Sequence, residues 1–175
     1  MEIAKPRRLS HKLAWLIFIL LLAFAIIFVN RSAAALPSIV AVHFDAAGRP
    51  NGFMSHGDYW LFALILTLGL PLGVVGVLTL AYSRATDLKL PNREYWLAPQ
   101  RVEHTRAFLV AHGVWLGAML VAFMCYVHWL VLDANARQPP QLSNEWFAVG
   151  IAVFLIGVAA WVATMMVAFR RGGSE

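Results

Sequence analysis

"AFLVAHGVWLGAMLVAFMCYVHWLVL", residues 107–132, runs for 26 residues without one Asp, Glu, Lys or Arg. A helix needs about 20 apolar residues to cross a hydrocarbon core of about 30 Å, so this run is long enough to span a membrane. Three similar runs accompany it, at 13–29, 59–82 and 146–169. The first is the shortest, at 17 residues. Over all 175 residues only 13% are charged and 61% are hydrophobic, whereas a soluble domain carries about 25% charged residues. The expected fold is all-α and membrane-embedded: one four-transmembrane-helix bundle comprising residues 1–175.

The N-terminal run has a second possible reading. Basic residues before it and Ser32-Ala33-Ala34-Ala35 after it also fit a secretory signal peptide. Its apolar core is longer than the roughly 7–15 residues of a signal, so a retained helix is expected.

Sidedness follows from Lys and Arg, which gather on cytoplasmic loops. With both termini inside, the cytoplasmic side holds Lys5, Arg7, Arg8, Lys12, Arg84, Lys89, Arg93, Arg101, Arg106, Arg170 and Arg171. Only Arg31, Arg49 and Arg137 remain outside. The expected topology is therefore N-in and C-in, in a bacterial cytoplasmic (inner) membrane. The formal net charge of +5 then reflects topology and attraction to anionic lipid. It gives no reason to expect direct contact with nucleic acid. Cys125 is the only cysteine, so no internal disulfide can form.

The outer loop, 30–58, is too long for a plain turn and should carry structure of its own. Val40, Val42 and Phe44 alternate with Ile39, Ala41 and His43, a strand-like period of two. Gly48-Arg49-Pro50-Asn51-Gly52 supplies turn chemistry, and Phe53 and Met54 could return as a second strand. A small hairpin on the outer surface is expected. In the cytoplasmic loop, 84–105, Pro91 and Pro99 bracket the apolar triplet Tyr95-Trp96-Leu97, which should return to the interface. Pro139-Pro140 stiffen the second outer loop. Tyr59, Trp60, Tyr126, Trp129 and Trp146 form an expected outer aromatic belt. Gly69-x-x-x-Gly73 and Gly113-x-x-x-Gly117 offer close helix contacts, and Pro71 should bend its helix.

Several residues could carry chemistry. His43, Asp45, His56 and Asp58 offer two nitrogen and two oxygen donors that a hairpin could gather around a divalent metal. The alternative is that the aspartates serve the turn and a helix cap. His112 and His128 lie inside one span, where imidazole is costly and often functional. Sixteen residues apart, they are separated by about 24 Å of helical rise. They cannot share one haem iron, and the other spans offer no partner. Cys125, His128 and Met124 could offer soft ligands to copper, although methionine at helical spacing usually packs. No charged residue lies inside a span and no nucleophile–base pair is visible, so no enzymatic activity and no cofactor are expected.

The stretch "LPSIVAVHFDAAGRPNGFMSH", residues 36–56, resembles the signature of a family of bacterial membrane proteins with a domain of unknown function. Leu36, Pro37, His43, Phe44, Gly48, Pro50 and Asn51 carry the match. His56 stands where that family often has Lys. "LPNREYWLAP", residues 90–99, looks like the inner-loop segment of the longer members, with Pro91, Asn92, Tyr95 and Trp96 as its anchor. The same domain occurs in immunity proteins against a sporulation-delaying toxin, which also sequester a transcriptional repressor. The resemblance implies a non-enzymatic polytopic protein acting by protein contact: an immunity- or sensor-like component, or an accessory subunit. Its partners would be the bilayer and other membrane proteins or further copies of itself. The reading from a different class is a metal- or haem-handling redox protein using His112, His128 or the outer His/Asp set.

Overall fold

The computed structural model describes residues 8–84 and 90–170. In chain order these form α1 (Arg8–Ala33), β1 (Ile39–Phe44), β2 (Pro50–Ser55) and α2 (His56–Leu64). A π-helical turn (Ile65–Gly69) leads into α3 (Leu70–Arg84), followed by α4 (Arg93–Trp96), α5 (Val102–Asn135) and α6 (Asn144–Arg170). Lys5, Arg7, Lys89 and Arg171, four of the cations that argue for sidedness, lie outside the described residues.

Four helical stretches are long and apolar enough to cross a membrane: His11–Ala33, His56–Arg84, Val102–Asn135 and Asn144–Arg170. The chain is a multi-pass membrane protein. Each helix extends past its uncharged run, because polar flanking residues continue the helix into the headgroup region. Exposed Leu16, Leu20, Phe24, Ile27, Ile65, Val77, Val153 and Ile156 face outward, as lipid-facing side chains do.

α5 lies at the centre, packed against α1, α3 and α6. On α1 the buried residues Ala14, Phe18, Ala25, Val29 and Ala33 recur every four or seven positions and so line one helical face. Glycines let α5 receive its neighbours. A Cβ at Gly117 would overlap Val75 of α3 and crowd Phe18 of α1, and one at Gly113 would sit 3.2 Å from Leu78. Gly150 of α6 lies against the ring of Tyr126. The other glycine pair behaves differently: Gly73 has nothing within 4 Å of a built Cβ, and Gly69 meets only Ile65 of its own helix. The expected contact through Gly69 and Gly73 is not made among the described residues.

A π turn, Ile65–Gly69, lies directly before the Leu70-Pro71 step where a bend is expected. A proline ring clashes with the carbonyl four residues earlier, here Thr67. A widened π turn re-spaces those carbonyls.

The expected hairpin is present as an antiparallel two-stranded sheet. Its turn comes earlier than the glycine pattern suggests. Asp45 and Gly48 close it (Gly48 N to Asp45 O, 2.9 Å; Asp45 N to Arg49 O, 2.8 Å), and Gly48 takes the left-handed φ of 76°. Gly52 is a strand residue instead. Its missing side chain leaves room for the ring of His43, whose Cβ would lie 2.9 Å from a Cβ there.

Candidate functional site

At the hairpin end of the bundle, a buried polar cluster surrounds His128. Ser32, the penultimate residue of α1, places its Oγ 2.8 Å from His128 Nε2. From the first turns of α2, Tyr59 places its hydroxyl 2.7 Å from His128 Nδ1. The tyrosine ring lies nearly parallel to the imidazole, and Phe28 meets it edge-on. Tyr59 and His128 are both buried. Tyr59 therefore does not join the aromatic belt expected at this end. Trp60, Trp129 and Trp146 do remain exposed.

Proton directions in this cluster can be counted. Ser32 has one hydroxyl hydrogen, and it goes to the Phe28 carbonyl at 2.6 Å. Ser32 Oγ must then accept from His128, which puts the imidazole proton on Nε2. Nδ1 is left as an acceptor and receives the Tyr59 hydroxyl. The chain reads Tyr59 O–H to Nδ1, Nε2–H to Ser32 Oγ, and Oγ–H to Phe28 O. A serine nucleophile would need its proton directed at the imidazole. Here it points away, so the trio holds a neutral histidine in place and does not activate Ser32.

His112, on the α4-side half of α5, faces a different neighbour. Its Nε2–H donates to the Trp161 carbonyl at 2.9 Å, and Trp161 Nε1–H donates back to the His112 carbonyl at 2.8 Å. The rings stack at 4.6 Å. One histidine thus ties α5 to α6 and the other ties α5 to α1 and α2. Cys125 is buried in the packed interior with Ala14, Phe18 and Val121.

The set of His43, Asp45, His56 and Asp58 is also dispersed. Asp45 accepts the N–H groups of Ala47 and Arg49 at 2.9 and 2.8 Å and pairs with the Arg49 side chain. The Arg49 amide foremost, then the Ala47 amide and the guanidinium, hold its carboxyl below the usual carboxylate range. Asp58 accepts from Ser55 Oγ at 2.6 Å, and Ser55 Oγ in turn accepts the Asp58 amide. Ser55 is therefore the N-cap of α2, and the Asp58 carboxylate orients its hydroxyl by accepting that proton. His56 Nδ1 lies 3.3 Å from the Leu36 carbonyl, and the exposed His43 rests on Gly52. Among the described residues no group of three or more His, Cys, Asp or Glu side chains is placed to hold a metal ion.

The hairpin is fixed to the bundle by residues that the sequence did not single out. Asn135, the last residue of α5, spans the Ala41 peptide: its Oδ1 accepts Ala41 N–H and its Nδ2 donates to Ala41 O, both at 2.9 Å. A third bond to the Val131 carbonyl, 2.8 Å, orients the amide. Leu142 N–H donates to Gly48 O at 2.9 Å, and Asn144 Nδ2 donates to Ala46 O at 2.9 Å. Beneath the sheet, Val40 joins Val29, Ala33, Leu36, Tyr59, Ala63 and Val131 in one apolar cluster, with Val42 and Met54 against it. Of the signature residues, Leu36 and Gly48 are buried, Phe44 and Pro50 are half-buried, and Pro37, His43 and Asn51 are exposed.

At the opposite end, Asn92 adopts a left-handed φ of 51° and starts α4, while Pro91 precedes it in an exposed turn. Trp96 packs edge-on against Phe169 at the end of α6, and its carbonyl accepts from Thr105 Oγ1 at 2.9 Å. The Arg101 guanidinium lies 3.9 Å over the Tyr95 ring. The inner-loop anchor is thus seated against the ends of both α5 and α6.

Residues 16–67 match a family described as "Domain of unknown function (DUF1648)". The match covers most of α1, the whole hairpin, α2 and the first part of the π turn. The matched segment contains Ser32, Tyr59 and the hairpin, while His128, Asn135, Leu142 and Asn144 lie beyond it. No curated protein and no solved structure matches the chain.

Proposed function

We propose that the protein is a non-enzymatic, polytopic component of a bacterial inner membrane, with both termini in the cytoplasm, that acts through protein–protein contact. In this reading it is an immunity- or sensor-like component or an accessory subunit. The observation that carries the reading is the fixed outer hairpin. Val40 and Met54 form the face packed on the bundle. Alternation along a strand then turns Ile39 and Phe53 to the other face, where they are 59% and 57% exposed. Large apolar side chains on a clamped sheet at a helix-bundle end suit a contact surface better than a connector. The inward-directed protons around His128 favour a structural role for the polar cluster.

The test is purification in mild detergent, followed by mass spectrometry of bound proteins, visible spectroscopy and metal analysis. The expected result is a membrane-protein partner, which can be a further copy of this chain, retained by the native chain and lost in the Ile39→Asp/Phe53→Asp variant. A haem spectrum, or one metal ion per chain that disappears in His128→Ala, would overturn the reading in favour of redox or metal handling.

A further inference from the structure

The Ser32–His128–Tyr59 chain has a consequence beyond contact at the hairpin, and independent of it. We infer that His128 is an acid-released latch that holds the α1–hairpin–α2 segment onto α5. The docked geometry provides Nδ1 with a donor, the Tyr59 hydroxyl, and Nε2 with an acceptor, Ser32 Oγ. Only the neutral, Nε2-protonated imidazole satisfies both. A proton added to Nδ1 makes both ring nitrogens donors. Tyr59 must then turn its own hydrogen elsewhere, and its hydroxyl makes no second hydrogen bond among the described residues.

Among the described residues, no compensating charge faces the ring. From α1 it meets Ser32 and Phe28, and from α2 it meets Tyr59. On α5 itself, Cys125 lies one turn away. The charged residues of the same elements at this end are engaged or exposed: Arg31 is exposed, Asp58 bonds Ser55, and Asp133 pairs with Arg137. His56 lies against the Leu36 carbonyl. A protonated His128 would therefore be both unpaired and over-supplied with donors, and separation of α5 from Tyr59 and Ser32 relieves both. Histidine is suited to such a switch because its ordinary pKa of about 6.5 lies near physiological pH. The apolar cluster of Val29, Leu36, Val40, Ala63 and Val131 does not titrate. Acid should thus loosen this junction without unfolding the bundle.

The test uses the full chain in phospholipid nanodiscs. Cys125, buried on α5 one turn from His128, reports opening through its reaction with a dithiodipyridine, normalised to free cysteine at each pH. Between about pH 7.5 and about pH 4.5, a range bracketing the ordinary histidine value, normalised reactivity should rise at least about tenfold, a population change of about 1.4 kcal/mol. His128→Gln, which cannot titrate, should abolish the rise. In the native chain, the ¹⁵N shifts of His128 should change from the neutral Nε2–H form to the doubly protonated form over the same interval. An unchanged Cys125 rate, an equal rise in His128→Gln, or a ring that stays neutral while Cys125 opens would each overturn the latch. Should His128→Gln fail to fold, coincidence of the ring and thiol transitions in the native chain decides.

Discussion

Replacing Asn135 with alanine removes both partners of the Ala41 peptide at once. Ala41 is buried at 1% exposure, so its N–H and C=O would be left without water or protein to bond. An unsatisfied buried group costs about 1–3 kcal/mol. Asn135→Ala should therefore lower stability in detergent by about 2 kcal/mol or more and speed amide exchange at Ala41. Gln141→Ala, at an exposed loop side chain, should stay within about 0.5 kcal/mol. Equal effects at the two positions would mean that the hairpin does not depend on its clamp. Asp45 makes a prediction in pH. Because its folded carboxyl lies below the usual range, its contribution to the turn is present above the ordinary carboxylate value of about 3.9. It is lost only as pH falls through the lower folded value. The Ala47 and Arg49 amide resonances should thus hold steady down to about pH 4 and shift below it. Asp45→Asn keeps the acceptor oxygen but cannot titrate, so it should keep the turn and lose that shift.

Glycines distinguish the helices in a way their spacing alone does not. Gly113-x-x-x-Gly117 and Gly69-x-x-x-Gly73 read alike, yet only the first pair receives neighbouring side chains. Gly117→Ala should cost about 1–3 kcal/mol through overpacking against Val75 and Phe18. Gly73→Ala should be neutral or stabilising by up to about 1 kcal/mol through helix propensity. Thermal unfolding in detergent measures both, and a larger loss at Gly73 would mean that its exposed face meets a partner. The contrast shows what the sequence could reveal. The spans were legible because each is a long run of one composition, and the hairpin because strand alternation and turn residues are local. The turn position was obscured by two glycines of similar appearance, since the deciding feature is the Asp45 carboxylate bonding the amides two and four residues on. The Ser32–His128 and Ala41–Asn135 contacts join residues 96 and 94 positions apart. No local pattern encodes such pairs, and Ser32, Tyr59 and Asn135 each look ordinary at the edge of a span.

For the whole molecule, the open question is which end faces the cytoplasm. The 34 residues of α5 rise about 50 Å, so the α4 end and the hairpin end lie on opposite sides of any bilayer that α5 crosses. Eleven of fourteen Lys and Arg fall on the α4 side in sequence, so the positive-inside bias predicts a cytoplasmic α4 end. Cysteine probes can report this directly if the chosen side chains are free of the fold. Asn51, Gln100 and Gln141 are exposed, whereas Asn135 is engaged with Ala41 and would disturb the clamp. In a Cys125→Ala background, cysteines at 51 and 141 should react with a membrane-impermeant maleimide in cells whose outer envelope has been permeabilised. A cysteine at 100 should react only after the inner membrane is lysed. Labelling at 100 from outside, with protection at 51 and 141, would invert the orientation. It would also place the hairpin, with exposed Ile39 and Phe53, on the cytoplasmic side and direct the search for its partner there.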